Sequence, residues 1–314
     1  MGVGRRLAAS VGQALSVAFV VVVVAFLLVR LVPGDPARGI LGPRGSPEAV
    51  AALRAELHSD RPLPEQFVDY VTSLLQGNLG HSIIQQQRPV SNIIADTLPV
   101  SLSVVLATIL VSALVGVPLG LWAAITRHRS ADLVVRGFAA ILLSMPPFFL
   151  GLVLLLVVAL SLGLLPAGGW GRGLPDNLRY VILPAAALAS YLTPLVIRTV
   201  RQAAIDTAGQ PFVEAAIARG IRPHIVTMRH VLPNSLLPVV TLLGLNVGAL
   251  VGGAVVVEAV FGLPGMGIEL ANAVAVRDYP VIQGIAVVSA LIIVASNLLT
   301  DAVYVFVDPR TRRT

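Results

Sequence analysis

The sequence predicts an all-α integral membrane protein with six spanning helices and a small, mostly helical segment outside the bilayer between the first two. Three observations carry this. The 314-residue chain is 56% hydrophobic and 12% charged, about half the charged share of soluble domains. It holds six long apolar stretches. Its basic residues are all arginine and cluster in alternate connections between those stretches.

A membrane helix needs about 20 mostly apolar residues to cross about 30 Å of hydrocarbon. Residues 7–29 are free of charge, with five consecutive valines at their centre. They are too long and apolar for a signal peptide, and no small-residue cleavage site follows, so they read as a permanent first span. Residues 98–126 and 137–171 are also uncharged. The fourth stretch, 180–197, is shorter and holds Pro184 and Pro194. Residues 231–257 and 279–300 complete the six.

Arginine placement sets the orientation, because short cytoplasmic loops are enriched in basic residues. With both termini cytoplasmic, thirteen of the 22 arginines fall in inner segments and only Arg172, Arg179 and Arg277 in the short outer loops. The remaining six lie in or beside the segment 30–97, which also carries seven acidic residues. The pI near 10.6 therefore reflects positive-inside bias, and a nucleic-acid partner is not expected. With no lysine, the chain cannot carry an ordinary nucleotide-binding P-loop. With no cysteine, disulfides and thiolate metal sites are excluded. The histidines, at 58, 81, 128, 224 and 230, lack metal-ligand spacing. No metal or cofactor is expected.

The chain divides into 1–32, the N-terminal tip and first span; 33–97, an extracytoplasmic cap; and 98–314, a five-helix core. The cap opens with the turn PGDP at 33–36. Two amphipathic helices are predicted in it, PEAVAALRAEL and EQFVDYVTSLLQG, the second ended by Gly77. The core carries a polar cytoplasmic loop at about 201–233, in which FVEAAIARGIRPHIVTMRHVLP predicts a helical hairpin. Gly220 supplies a left-handed turn, Pro223 opens the second helix and Pro233 ends the unit. Ile221, Ile225 and Met228 share one helix face. Two readings stay open on these grounds: a compact knob that binds a partner, or an amphipathic connector lying on lipid headgroups.

Glu214-Ala215-Ala216, with Gly220 after it and then Leu232-Pro233, resembles the EAA loop of permease subunits in ABC importers. PGDP, GNLGHSI at 77–83, RPVSNIIADTLPVSLSV at 88–104, SMPPFF at 144–149, LLPAGGW at 164–170 and VVVEAVFGLPGMGIELANAVAVRDYPVIQG at 255–284 resemble the first, B-type permease of the dipeptide/oligopeptide/nickel branch. The likeness runs nearly the whole chain in order. It departs at His58-Ser59-Asp60, where relatives tend to have Gly-Leu-Asp. The resemblance implies the type I ABC importer permease fold in a bacterial inner membrane. It implies a second homologous permease, two ATP-binding subunits and an extracytoplasmic substrate-binding protein as partners. Short peptides are the implied cargo, with nickel or glutathione-like solutes as alternatives. Glu214, Ala215, Ala216, Arg219, Gly220, Ile221, Ile225 and Met228 would couple to the ATPase. Phe261, Asp278 and Tyr279 lie in the outer turn that would dock the binding protein.

Other polar residues have two readings each. Glu258, near the outer end of its span, serves an outer gate or is an interfacial carboxylate. Asp278 orders the turn into the last span or touches a partner. Ser144, Asn246 and Asn297 bond across helices or line a hydrophilic path. Pro146 and Pro147 break the third span, exposing carbonyls to a solute or simply kinking a packed helix. A secondary transporter would place ionisable groups at mid-membrane, and an intramembrane hydrolase would need a nucleophile and base there. The middles of these spans hold no acidic or basic residue. The sequence therefore reads as a transport subunit that performs no chemistry itself.

The orientation is directly testable, since the native chain has no cysteine to interfere. A cysteine at Ala49 should react with an impermeant maleimide in intact cells and one at Thr311 should not; the reverse pattern refutes the topology.

Overall fold

The computed structural model describes residues 12–13, 16–27, 46–48, 51, 62–126 and 129–307. The PGDP turn, nearly all of the first cap helix, His58 to Asp60, Arg127 and the terminal arginines lie outside the described residues. The helices, in order, are α1 (Ser16–Leu27), α2 (Leu63–Leu75), α3 (Val90–Ile125), α4 (Arg129–Ser144) and α5 (Pro147–Ser161), whose last two turns have π geometry. Then come α6 (Leu174–Ala208), α7 (Pro211–Ala218), α8 (Pro223–Leu245), α9 (Val247–Phe261), α10 (Met266–Val276) and α11 (Tyr279–Val307). The fold is all-α.

Four helices, α3, α6, α8 and α11, are each long and apolar enough to cross a membrane. Two bent pairs pass the same test when each counts as one span: α4 with α5, bent 97°, and α9 with α10, bent 84°. Of the expected first span the described residues hold α1, an apolar helix shorter than that test requires. The third breaks where the proline pair sits. Pro146 is extended (ψ 138) and Pro147 opens α5, because a residue before proline avoids the helical region. The fourth is far longer than the apolar count suggested. Pro184 and Pro194 lie inside α6 without ending it; in a packed bundle, neighbouring helices tolerate the backbone groups that proline frees. The fifth apolar stretch is interrupted at Asn246 (φ −87, ψ −4), although its N–H still bonds Leu242. The expected outer turn 261–280 contains a helix, α10.

α6 is the central element. Of its most apolar 18-residue stretch 72% is buried, against 39% for α3 and 22% each for α8 and α11, so those three keep broad faces for lipid or partner chains. α3 lies closest against α6, along a stripe of small residues four apart: Thr108, Ser112, Gly116 and Gly120, all buried. A Cβ on Gly116 would sit 2.7 Å from the Val196 side chain, and one on Gly120 2.7 Å from the Ile197 carbonyl. Thr193 donates to Ser112 across this seam at 3.3 Å. Without a hydrophobic drive between helices in lipid, close backbone approach and such bonds do the holding. The signal, GVPLG at 116–120, was in the sequence and its small-xxx-small spacing was not read.

At one end of the bundle, α2 packs on α1 through Phe67, whose ring meets Phe26 edge-on at 5.1 Å. α2 ends at Gly77 as expected, with a left-handed φ of +75. A smaller apolar cluster joins the start of α3 (Val90, Ile93, Ile94) to α10 (Met266, Ala273) and α11 (Val281, Ile285). The large core runs through α3, α6, α8 and α9 and continues into α7.

The α3–α6 seam predicts that Gly120→Ala destabilises the bundle by about 1–3 kcal/mol through overpacking. Gly252→Ala, where an added Cβ meets nothing within 4 Å, should not. Thermal unfolding in detergent separates them; equal Tm values would contradict the close-approach account.

Candidate functional site

Two assemblies of polar residues stand at opposite ends of the bundle. The first is the hairpin of α7 and the beginning of α8. Pro211 starts α7, and Glu214 lies in its first turn, where a negative charge suits the helix dipole. The helix ends in a Schellman turn: Gly220 N–H donates to Ile217 O (2.9 Å) and Ile221 N–H to Ala216 O (3.3 Å). Gly220 has φ +75, as its sequence position predicted, and open space around its absent Cβ. Pro223 then opens α8.

The hairpin does not end at Pro233. Its second limb runs through a π-turn, Thr227–Val231, straight into the spanning part of α8. Pro233 has no N–H to give Arg229, and the wider turn accommodates its ring. Asn234 donates to His230 O (2.7 Å) and Ser235 to Val231 O (2.8 Å), reinforcing the joint. The second limb and the span are one continuous helix, Pro223–Leu245.

The expected partner-facing stripe is corrected. Ala216 is buried and Ile221 half-buried, both packed inward on the bundle's own core beside Val213, Val226 and Val231. Ile225 is half-buried. Of the three stripe residues only Met228 is exposed, at 57%. The apolar side chains that do face outward are Phe212, Ile217 and Met228, among exposed Glu214, Ala215, Arg219 and Arg222. Ile221, Ile225 and Met228 do not share a regular helical face, because Ile221 precedes the helix that begins at Pro223 and Met228 lies within the π-turn.

The second assembly centres on Glu258, which is completely buried. Ser101 of α3 donates its hydroxyl to Oε1 at 2.6 Å. Oε2 accepts the N–H groups of Gly267 (2.8 Å) and Ile268 (3.1 Å) at the start of α10. Ser101 Oγ in turn accepts Met266 N–H at 2.8 Å. One carboxylate thus ties α9, α3 and the N-terminus of α10, where backbone donors and dipole favour negative charge. The approach requires glycine: a Cβ on Gly265 would collide with the carboxylate, and one on Gly267 would lie 2.6 Å from Val255 Cα. The alternative to a gate was an interfacial carboxylate, solvated or hydrogen-bonded to a neighbouring loop; burial excludes the solvated form, and the bonds to Gly267 and Ile268 match the hydrogen-bonded one. Ser101 and the two glycines were not anticipated; the PGMG that follows EAVFGL was the available clue.

Asp278, 2% exposed, does the same for the neighbouring loop. It accepts the Ser82 hydroxyl and the N–H groups of Ile83 (3.2 Å) and Ile84 (3.4 Å), so it orders the entry to α11 by holding the loop 78–89. Phe261 is 2% exposed; its ring lies over Gly151 and its carbonyl accepts Gly169 N–H at 3.0 Å. Docking through Phe261 and Asp278 is therefore corrected for this conformation, since both are consumed internally. Tyr279 is half-buried. Asn246 receives the Tyr191 hydroxyl at 3.0 Å and donates to Leu242 O, a cross-helix bond. Ser144 is exposed at the α4–α5 break and donates to Ala140 O; Pro146 is exposed beside it. Asn297 is exposed on α11.

A third feature lies between α4 and α6 and was missed. Arg201 makes a two-pronged bond to Asp132, Nε to Oδ1 at 2.6 Å and Nη2 to Oδ2 at 3.0 Å, fastening α4 to the hairpin end of α6. The two residues are half-buried and stand 69 positions apart, a pairing that local sequence pattern does not reveal.

The comparisons agree with this architecture. Residues 116–313 match the family described as binding-protein-dependent transport system inner membrane component, and residues 4–105 match the N-terminal membrane-component family of the same systems. A protein of Brucella ovis, provisionally described as a peptide permease protein, is 36% identical over 317 residues, covering 99% of this chain and 98% of its own. The glutathione transport system permease protein GsiC of Salmonella choleraesuis is 36% identical over 293 residues, covering 93% and 94%. Among solved structures, the chain is similar to inward-facing conformations of the MetNI methionine ABC transporter, with a TM-score of 0.58 and 17% identity over 69% of this chain and 96% of that one. The chain belongs to the binding-protein-dependent transport system inner membrane component family and is an ABC importer permease of its peptide/nickel branch, a multi-pass inner-membrane subunit of a kind that works with other permease and ATP-binding subunits.

Proposed function

We propose that this chain forms half of the translocation path of an ATP-driven importer for short peptides, including glutathione-like ones, and that its hairpin receives the ATPase stroke. The observation that carries the reading is the continuity of the hairpin's second limb with the span: one helix runs from Pro223 to Leu245, so a displacement of that limb passes into the membrane without an intervening loop. The exposed Phe212, Ile217 and Met228 supply an apolar plug for a partner's groove. Glu214, Arg219 and Arg222 supply a charge pattern that fixes orientation. In this reading a second permease completes the path, two ATP-binding subunits sit at the hairpin end, and a binding protein delivers cargo at the Glu258 end. The residues 33–97 form a cap there, and both termini are cytoplasmic. The chain itself hydrolyses nothing.

The Glu258 assembly fits an outer latch. α9 and α10 meet at 84°, and the carboxylate holds that angle closed. Alternating access requires two arrangements that partners stabilise differently, and a clasp of discrete hydrogen bonds is a two-position element. Cargo class rests on the full-length relatives, one described as a peptide permease and others as glutathione permeases.

The coupling role is tested in reconstituted complexes. Gly220→Val places a β-branched residue at φ +75, costing roughly 1–2 kcal/mol of local strain, and Glu214→Arg inverts the charge at the start of α7. Both should insert normally yet lose substrate-stimulated ATPase activity and uptake together. Wild-type levels of both activities in either variant would reduce the hairpin to a connector.

The latch is tested at equilibrium. Glu258→Ala leaves buried N–H donors unpaired, at about 1–3 kcal/mol, so amide exchange at Gly267 and Ile268 should accelerate by one to two orders of magnitude. Exchange as slow as in the wild type would mean that α10 is held by packing alone.

A further inference from the structure

We infer that the groove between α4 and α6 is a binding site for an anionic phospholipid. The groove has a volume of about 620 Å³ and is open on one side. One end is cationic: Arg136, Arg198 and Arg201 line it. Asp132 pairs with Arg201 and stands 3.9 Å from Arg136, so three guanidiniums face one carboxylate and the local formal charge is +2. Both Asp132 oxygens are occupied by Arg201, whereas the Arg136 side chain is 65% exposed and Arg198 is exposed. The other end is apolar. Moving along α4 from Arg136, the lining becomes Gly137, Ala140 and Leu143, and on α6 it becomes Ile197 and Pro194. The floor residues Ile197 and Pro194 are buried.

The order of these residues fixes what fits. Head and tail are separated along the helix axes, with roughly two helical turns, about 10 Å, from Arg136 to Leu143. The occupant must carry a compact anion at one end and an apolar chain at the other. The charged end lies toward α7, the cytoplasmic end in the proposed orientation, and the apolar end points into the bundle. A phospholipid of the cytoplasmic leaflet has this polarity, and basic pockets between membrane helices at that level suit anionic headgroups. Arginine is suited to phosphate because its planar fork donates two parallel hydrogen bonds. Arg201 is already oriented by Asp132, so the cationic end is partly pre-organised. Gly137 keeps the groove open: an added Cβ there meets nothing within 4 Å.

Binding here would act as a strap across α4 and α6, next to the 97° break that follows α4. The inference rests on the proposed orientation only for the leaflet, not for the site.

The test is a lipid titration of the purified full-length chain in detergent, followed by native mass spectrometry. The probes are dioleoyl phosphatidylglycerol and dioleoyl phosphatidylcholine. The wild-type chain should retain phosphatidylglycerol preferentially. Arg136→Gln with Arg198→Gln should lower that preference by on the order of tenfold. Gly137→Leu, which fills the apolar path without changing charge, should lower retention too. Arg219→Gln with Arg222→Gln, which removes the same charge from the hairpin, should change nothing. Undiminished preference in both groove variants overturns the site. Equal loss in the hairpin variant also overturns it, because attraction would then be general. The assay contains no ATPase, binding protein or peptide, so its failure and the failure of the import reading are independent results.

Discussion

A carboxylate sealed inside an apolar bundle sets the terms for one whole end of this protein. An isolated ionised group there would be prohibitively costly, and Glu258 is completely buried. Its cost is met only if hydrogen-bond donors come to it. They come from Ser101 and from the first backbone amides of α10. The knot sits at a near-right-angle bend of 84° after α9, leaves no room for a Cβ at 265 or 267, and takes in α3 through Ser101. The apolar cluster of Val90, Ile93, Met266 and Val281 then forms around the knot. Asp278 repeats the device one loop away, with Ser82 in the place of Ser101.

The two ends are built on opposite principles. At the Glu258 end the two buried carboxylates, Glu258 and Asp278, are satisfied by donors from within the chain. At the hairpin end the buried face is satisfied by the chain's own core, while Phe212, Ile217 and Met228 are left facing out beside the exposed Glu214, Arg219 and Arg222. Surplus apolar surface with a polar rim marks an interaction surface.

Much of this was legible in the sequence. Composition and arginine placement gave the class, and Gly220, Pro223 and Gly77 took the backbone roles that their positions implied. The proline pair at 146–147 broke the third span as expected. What escaped had a common cause. Local pattern cannot say which side of a short helix the rest of the chain will cover, so Ile221 was assigned outward when it packs inward. Nor can it see pairings between distant residues. Ser101 finds Glu258 across 157 positions, and Arg201 finds Asp132 across 69. Phe261 and Asp278 flank the expected outer turn, yet distant segments cover them: α5 at Gly151 lies under the Phe261 ring, and the loop 78–89 closes over Asp278. Apolar length alone also underestimated α6, since a central helix keeps going past its prolines when neighbours surround it.

The π-turn at Thr227–Val231 also decides where strain can be taken up between hairpin and span. A π-turn winds one extra residue into a wider turn, so the helix on either side keeps nearly the register it would have without it. The proline ring at 233 is seated in that slack, and side-chain bonds from Asn234 and Ser235 to the carbonyls of His230 and Val231 tie the joint. The widened turn is thus a bearing within the helix: it accepts a proline without turning the limb above it away from the bundle.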